Sequence, residues 1–251
     1  MMPDVLRNGL IYPDWPVPEH VKSVMTTREG GVSQVPFDSM NLGDHVEDSP
    51  AAVAKNRALL HKRCGLPAEP MWLTQVHGTT VVMHTGAANN VVGDAIIAHD
   101  AGQVCAVMTA DCLPVLFCNM QGTAVAAAHA GWRGLEAGIL ESTIAGMQCQ
   151  PDELLVWLGA AIGFEQFEVG GEVREAFLST DSKSDEAFKA HGKGKWLADL
   201  YALTRLRLEG VGIRQSHVFG GEWCTYTQSN LFYSYRRESR TGRMASLIWL
   251  E

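Results

Sequence analysis

Cys112 and His129 stand at the two ends of one apolar stretch, and a second imidazole, His77, closes the upstream run Gln75-Val76-His77-Gly78. The stretch reads as two strands joined by the polar turn Asn119-Met120-Gln121-Gly122. A turn centred on Met120-Gln121, or spanning residues 119–122, predicts that Cys118 faces Thr123 and Cys112 faces His129. Directly opposed side chains of an antiparallel pair share a face with Cβ atoms about 4.5–5.5 Å apart. That spacing suits two ligands of one metal ion, with zinc bonds of about 2.0–2.3 Å. A one-residue bulge would destroy the register, so the inference holds only for a regular hairpin.

With His77 as third ligand, a His2Cys set leaves one tetrahedral position open, the catalytic pattern for zinc. Zinc in such a site lowers the pKa of bound water to about 7. The same residues also read without a metal, as a Cys112 nucleophile with His129 as its base. A third reading is a buried thiol beside two core histidines. Beyond the hairpin, Ala130-Gly131-Trp132-Arg133-Gly134 opens the next helix. A helix N-terminus and a forked guanidinium favour an anion there, a phosphate or a carboxylate. The alternative is a packing turn with Arg133 at the surface.

Near the C-terminus, Phe232, Tyr233 and Tyr235 mix with Arg236, Arg237, Arg240 and Arg243. Such residues serve base stacking with phosphate binding, or equally a solvated edge strand and turn. Cys64 and Cys224 read as ordinary buried or half-buried thiols. Asp111, next to Cys112 on a regular strand, is predicted to face away from it.

The elements that must position these groups follow from pattern. Pro50 after Asp48-Ser49 marks a capped helix start, with a stop at Gly65. Residues 1–20 read as a Pro-rich entry segment with a short strand. Residues 71–84, 92–98 and 104–109 read as strands before the hairpin, and 134–147 as a helix. A strand over 154–158 precedes a Gly-rich turn. Helices over 171–178 and 197–208 flank a polar loop over 179–195. Short strands over 217–219, 231–235 and 244–250 end the chain. Strands apolar on both faces predict a sheet covered on each side, hence an α/β or α+β layered fold.

A chain of 251 residues can bury a sizeable core, and its 46% hydrophobic and 19% charged composition is ordinary. The net charge of −8 opposes a nucleic-acid or anionic-membrane binder. The first residues lack the basic-then-apolar layout of a signal peptide, and no apolar run approaches the ~20 residues of a membrane span. Six cysteines in this chain do not form a disulfide-framework pattern. The expectation is a soluble cytoplasmic protein with reduced thiols and no nucleic-acid or membrane partner.

Three motifs carry a resemblance: Gln75-Val76-His77-Gly78, the run Thr109-Ala110-Asp111-Cys112-Leu113-Pro114-Val115-Leu116, and His129-Ala130-Gly131-Trp132-Arg133-Gly134. Together they resemble the YfiH-like family, whose members are described as multicopper polyphenol oxidases (laccase domain) and as purine nucleoside phosphorylases. Arg28-Glu29-Gly30-Gly31-Val32-Ser33, Asn41-Leu42-Gly43, Glu168-Val169-Gly170 and Tyr233-Ser234-Tyr235-Arg236-Arg237 match as well. The resemblance spans nearly the whole chain and implies one domain over residues 1–251. It implies an α-β-β-α sandwich with mixed sheets, related to toxin-type (CNF-like) Cys/His hydrolases. It also implies zinc, with copper as the other candidate, on His77, Cys112 and His129. One departure stands out: the family pattern Gly-Pro-x-Ile-Gly-Pro is here Gly159-Ala160-Ala161-Ile162-Gly163-Phe164. Losing both prolines predicts a relaxed loop near the pocket.

The implied activity is phosphorolysis of adenosine, inosine, guanosine and 5′-methylthioadenosine, with adenosine deamination. The catalytic set is then Cys112, His77, His129 and Arg133, with Arg28, Asn41 and Arg236 as substrate- or phosphate-binding residues. A cell-wall-precursor amidase, a copper-dependent polyphenol oxidase and a non-catalytic binding protein are the alternatives. The oxidase reading is physically weak, because laccase chemistry combines several copper centres and the chain offers one obvious ligand cluster. The His-x-Glu…Pro-Cys-x-x-Cys pattern of common zinc nucleobase deaminases is absent.

Overall fold

The computed structural model describes residues 4–86 and 91–251; residues 1–3 of the Pro-rich entry segment lie outside them. In chain order the elements begin with β1 (Val5–Arg7), β2 (Leu10–Tyr12), β3 (Val21–Thr26) and α1 (Pro50–Cys64). Then come β4 (Leu73–Thr74), β5 (Val81–Met83), β6 (Val91–Val92), β7 (Ala95–Ala98) and β8 (Val104–Thr109). The hairpin is β9 (Leu113–Asn119) and β10 (Val125–Ala130), followed by α2 (Trp132–Ala137), α3 (Ile139–Met147) and β11 (Leu154–Leu158). The remainder is β12 (Glu168–Gly170), α4 (Gly171–Thr180), β13 (Phe188–Ala190), β14 (Lys195–Ala198), α5 (Leu200–Gly210), β15 (Val218–Gly220) and β16 (Met244–Leu250).

Two sheets face one another. One is antiparallel, in the order β1-β2-β3-β16-β8; the other is mixed, in the order β15-β11-β9-β10-β7-β5. Strand alternation sends Cys105 and Val107 of β8, and Val125 and Ala127 of β10, into a shared inner core with Met25, Ile248, Leu116 and Trp157. The outer face of the antiparallel sheet packs Val104, Ala106 and Met108 against Leu60 of α1. The outer face of the mixed sheet packs Val115, Phe117, Ala126 and Ala128 against Leu140 and Ile144 of α3 and Leu203 of α5. The result is the expected α-β-β-α layering, and it explains why β9 and β10 are buried at every residue.

The hairpin register differs from the predicted one. Asn119 Oδ1 accepts the amides of Thr123 and Ala124, and its Nδ2 donates to Thr123 Oγ1. The turn therefore closes between Asn119 N and Ala124 O at 3.1 Å. Cys118 faces Val125, not Thr123, and His129 faces Pro114, not Cys112. The slip is an even number of residues, so no side chain changes face. Cys112 becomes a diagonal neighbour of His129 and lies in the bend before β9.

Other elements also depart from pattern. Gly138, at φ 100°, splits the 134–147 helix into α2 and α3. Residues 195–198 form a strand, and α5 starts after Asp199, whose carboxylate caps Tyr201 N and Ala202 N. The loop over 179–195 holds a 3-10 turn and β13. Residues 231–235 form no strand; they are turn and irregular chain. Ser49 does not cap α1 with its side chain, although Gly65 ends that helix in the left-handed region. Residues 71–84 split into β4 and β5, for a reason found in the site itself.

Replacing Asn119 with Ala removes an almost fully buried side chain that satisfies two amides. The expected cost is about 1–3 kcal/mol in urea unfolding. Unchanged stability would mean that this turn does not set the register.

Candidate active site and metal centre

The site lies where β8, β9 and β10 end together, at the rim of the inner core. His129 is the penultimate residue of β10, and Cys112 precedes β9. His77 comes from the loop between β4 and β5. The Nε2 of His77 stands 3.8 Å from Cys112 Sγ, and the two imidazole rings meet edge to face with centroids 4.7 Å apart. Ligand atoms of all three residues lie within 4.8 Å of one another. Around a tetrahedral zinc, such atoms sit about 3.3–3.8 Å apart, given the usual bond lengths. A small closure of the triad therefore brings it to bonding distance.

Asp94 organises the triad. Fully buried, it accepts the amides of Val76, His77 and Gly78 and stands 2.9 Å from His129 Nδ1. Holding three successive amides bends the chain sharply there, with His77 at φ 61°, and this interrupts the strand predicted over 71–84. The carboxylate fixes the proton on His129 Nδ1, leaving Nε2 free to bind. Gly131 supplies the space: a Cβ there would stand 2.9 Å from both Cys112 Sγ and His77 Cδ2.

Electrostatics agrees with that arrangement. Burial raises the Cys112 thiol, but the charge of His129 and hydrogen bonds from His129 and His77 outweigh it and bring it down to about 6. Burial likewise opposes the His129 imidazolium, yet the Cys112 thiolate and Asp94 raise it to about 9. Asp94 stays below its ordinary value, because its hydrogen bonds overcome burial. Without a metal this is a thiolate–imidazolium pair; a metal would displace the imidazolium proton. Soft sulfur, borderline nitrogen and an orienting carboxylate together fit a zinc or copper ion.

A cavity of about 500 Å³ opens over the triad, within the range of small-molecule sites. Arg133 and Arg236 line it, as do Trp132, Phe167 and Tyr235. Arg28 and Asn41 do not. Arg28 donates to Asp38 and Ser229 O under the Tyr233 ring, lining a separate surface depression. Asn41 is buried in a hydrogen-bond network with Gly43, Asp48 and Arg243.

Asp111 does not face away as predicted. At φ 84° it leaves the strand geometry and lines the cavity, accepting Thr225 Oγ1 and Arg236 N, each at 2.6 Å. His45 also lines the cavity and was not singled out from sequence; Gln75 and Arg243 line it too, the first named only within a motif and the second only among the C-terminal arginines. Asp94 was missed too, though a lone acid before the apolar run Ala95-Ile96-Ile97-Ala98 is a signal for a buried, partnered carboxylate.

The loop expected to relax is held firmly instead. Successive amides from Gly159 to Gly163 reach Pro114 O, Met25 Sδ, the Tyr201 hydroxyl, Asp111 O and Cys224 Sγ. Without proline at 160, that amide gains an acceptor. Ile162 forms part of the cavity wall.

Comparison with known proteins decides the family. A family model for multi-copper polyphenol oxidoreductase laccase matches residues 22–251. The chain is 55% identical over 242 residues to the Escherichia coli (strain K12) protein named purine nucleoside phosphorylase YfiH, covering 96% of this chain and 98% of that one. This chain belongs to the YfiH-like family. A Pseudomonas aeruginosa purine nucleoside phosphorylase is 52% identical, covering 97% of this chain and 99% of its own. Among solved structures, Neisseria meningitidis protein NMB0706 superposes with TM-score 0.93 at 49% identity, covering 97% and 100% of the two chains. YlmD from Geobacillus stearothermophilus gives TM-score 0.93 at 30% identity, covering 99% and 100%.

Gly131→Ala tests the space at the triad. The backbone there, at φ −64°, accepts any residue, so folding should persist while the added methyl crowds Cys112 and His77. Metal content after purification is expected to drop severely with thermal unfolding little changed. Full metal content would contradict the geometry.

Proposed function

We propose that this chain is a zinc-dependent purine nucleoside phosphorylase acting on adenosine, inosine, guanosine and 5′-methylthioadenosine. The observation that carries the reading is one cavity holding a metal-type triad, aromatic walls and arginines together. Relatives above 50% identity bear the name purine nucleoside phosphorylase. Phosphorolysis joins a phosphate oxygen to the anomeric carbon and breaks its bond to the purine nitrogen. Phe167, Trp132 and Tyr235 offer faces for the purine. Arg133 and Arg236 draw phosphate to the cavity by charge alone, and Arg243 holds it in line with the anomeric carbon. His77, Cys112 and His129 hold the ion, with Asp94 orienting His129. Zinc, when bound, supplies a Lewis acid at the cavity floor.

The Cys112–His129 pair favours one second reading, adenosine deamination, which consumes water and needs no phosphate. Against the multicopper oxidase reading stands the donor set: among the described residues one group of three metal-type ligands forms, and several copper centres need more. Copper can still enter it, since copper outcompetes zinc at most nitrogen and sulfur donors. Among the described residues no helix is long and apolar enough to cross a membrane. The six cysteines are all free, which suits the proposed cytoplasmic setting.

Inosine with phosphate is expected to yield hypoxanthine and ribose 1-phosphate, and Cys112→Ala to lose both metal and turnover. Base release that ignores phosphate, or a fully active Cys112→Ala variant, would overturn the proposal. Ammonia release from adenosine without phosphate would identify the second activity.

A further inference from the structure

Three arginines face the cavity, and they differ in what already occupies their guanidinium groups. Arg133 is exposed and lies 4.4 Å over the ring of Trp132. Arg236 is exposed, lies 5.6 Å over Phe167, and donates Nη1 to Glu168 O at 2.9 Å. Arg243 is half-buried, lies 6.0 Å over the Tyr235 ring, and donates Nη1 to Thr241 O and Gly242 O, each at 3.0 Å. Among the described residues its Nε and Nη2 have no hydrogen-bond partner, and no carboxylate pairs with it. Asp111, whose charge reaches it, has its oxygens taken by Thr225 and the Arg236 amide. Its charge is met only through space, by the Cys112 thiolate first and Asp111 after it, and an anion in the cavity would meet its open edge directly.

The surroundings are built to hold this side chain still. Asn41 is fully buried; its Oδ1 accepts Arg243 N at 2.9 Å and Gly43 N at 3.0 Å, while its Nδ2 donates to Asp48 Oδ2 at 2.9 Å. A Cβ at Gly43 would stand 2.8 Å from Arg243 Cγ, and one at Gly242 would stand 3.0 Å from Asn41 Cβ. The motif Asn41-Leu42-Gly43 is thus shaped around the stem of Arg243. With Nη1 anchored on two carbonyls, the plane of the guanidinium is set. Its free edge, Nε–H beside Nη2–H, is the edge that grips two oxygens of one anion.

We infer that Arg243 is the residue that holds the anion, inorganic phosphate in the phosphorolytic reading on which this inference rests, and that Asn41 is its positioning residue. Asn41 never meets the ligand; it acts by fixing the Arg243 backbone. Arg133 and Arg236 contribute only general positive charge at the mouth.

The test is calorimetric titration of inorganic phosphate into the purified protein at matched metal content. Arg243→Gln is expected to weaken phosphate binding about 10- to 100-fold, the worth of one or two charge-assisted hydrogen bonds. Arg133→Gln and Arg236→Gln should stay within about threefold, as exposed charges do. Asn41→Ser should weaken binding in the parent chain but add nothing in the Arg243→Gln background, because the two act as one unit. An undiminished Asn41→Ser effect in that background would overturn its positioning role. Parent-like phosphate affinity in Arg243→Gln, a loss carried by Arg133 or Arg236, or no phosphate binding by the parent would overturn the assignment of Arg243. Phosphate held through Arg243 by a protein that leaves inosine intact would overturn the phosphorylase reading alone. Phosphorolysis with an unchanged phosphate KM in Arg243→Gln would overturn this inference alone.

Discussion

Asp94 takes a negative charge fully out of water and satisfies it with three backbone amides and one imidazole N–H. Burial of a carboxylate is costly, and here the hydrogen bonds more than offset it, holding the group ionised. Its side chain ties the loop that carries His77 directly to the strand that carries His129. Because both lone-pair sets of the carboxylate are engaged, neither ligand can swing away without leaving a buried charge unpaired. The left-handed backbone at His77 persists for the same reason.

The rest of the sandwich supplies a rigid edge for that carboxylate to act upon. β8, β9 and β10 are buried throughout, so the chain leaves the core at one place and must turn there. Asp111 bends the exit of β8 toward the cavity and ties it to Thr225 and Arg236, which come from the C-terminal third of the chain. Ile162, from the loop after β11, closes another wall and donates its amide to Asp111 O. Function is therefore assembled on loops whose ends are fixed by a well-packed double sheet, the usual division of labour in such folds.

The layered fold was legible in the sequence because continuous apolar runs such as residues 113–118 have a single physical solution, a strand covered on both sides. The triad was legible through residue type and motif, even though the hairpin register was read two residues out. That error was harmless because strand side chains alternate with period 2, and it arose because Asn119 binds its own turn in a way no hydrophobic pattern records. The Arg243 environment was illegible for a different reason: it depends on a contact between positions 41 and 243, and only the folded chain brings Asn41 beneath that backbone. Arg28 and Asn41 carry functional-looking residue types yet lie outside the cavity lining, Arg28 bonded to Asp38 and Ser229 and Asn41 to Arg243. The proline-for-alanine departure misled as well, since an alanine amide can be hydrogen-bonded where a proline has none.

A family name that speaks of several coppers and relatives named for phosphorolysis describe the same scaffold, and among the described residues one His-Cys-His group could hold an ion. What makes that ion's site is the buried carboxylate behind it, so the metal affinity of Asp94→Asn, measured by chelator competition, is the most direct test. Loss of orientation behind His129 should weaken zinc about 10- to 100-fold while the folded chain persists. Parent-like zinc affinity in Asp94→Asn would contradict the claim that Asp94 builds the centre.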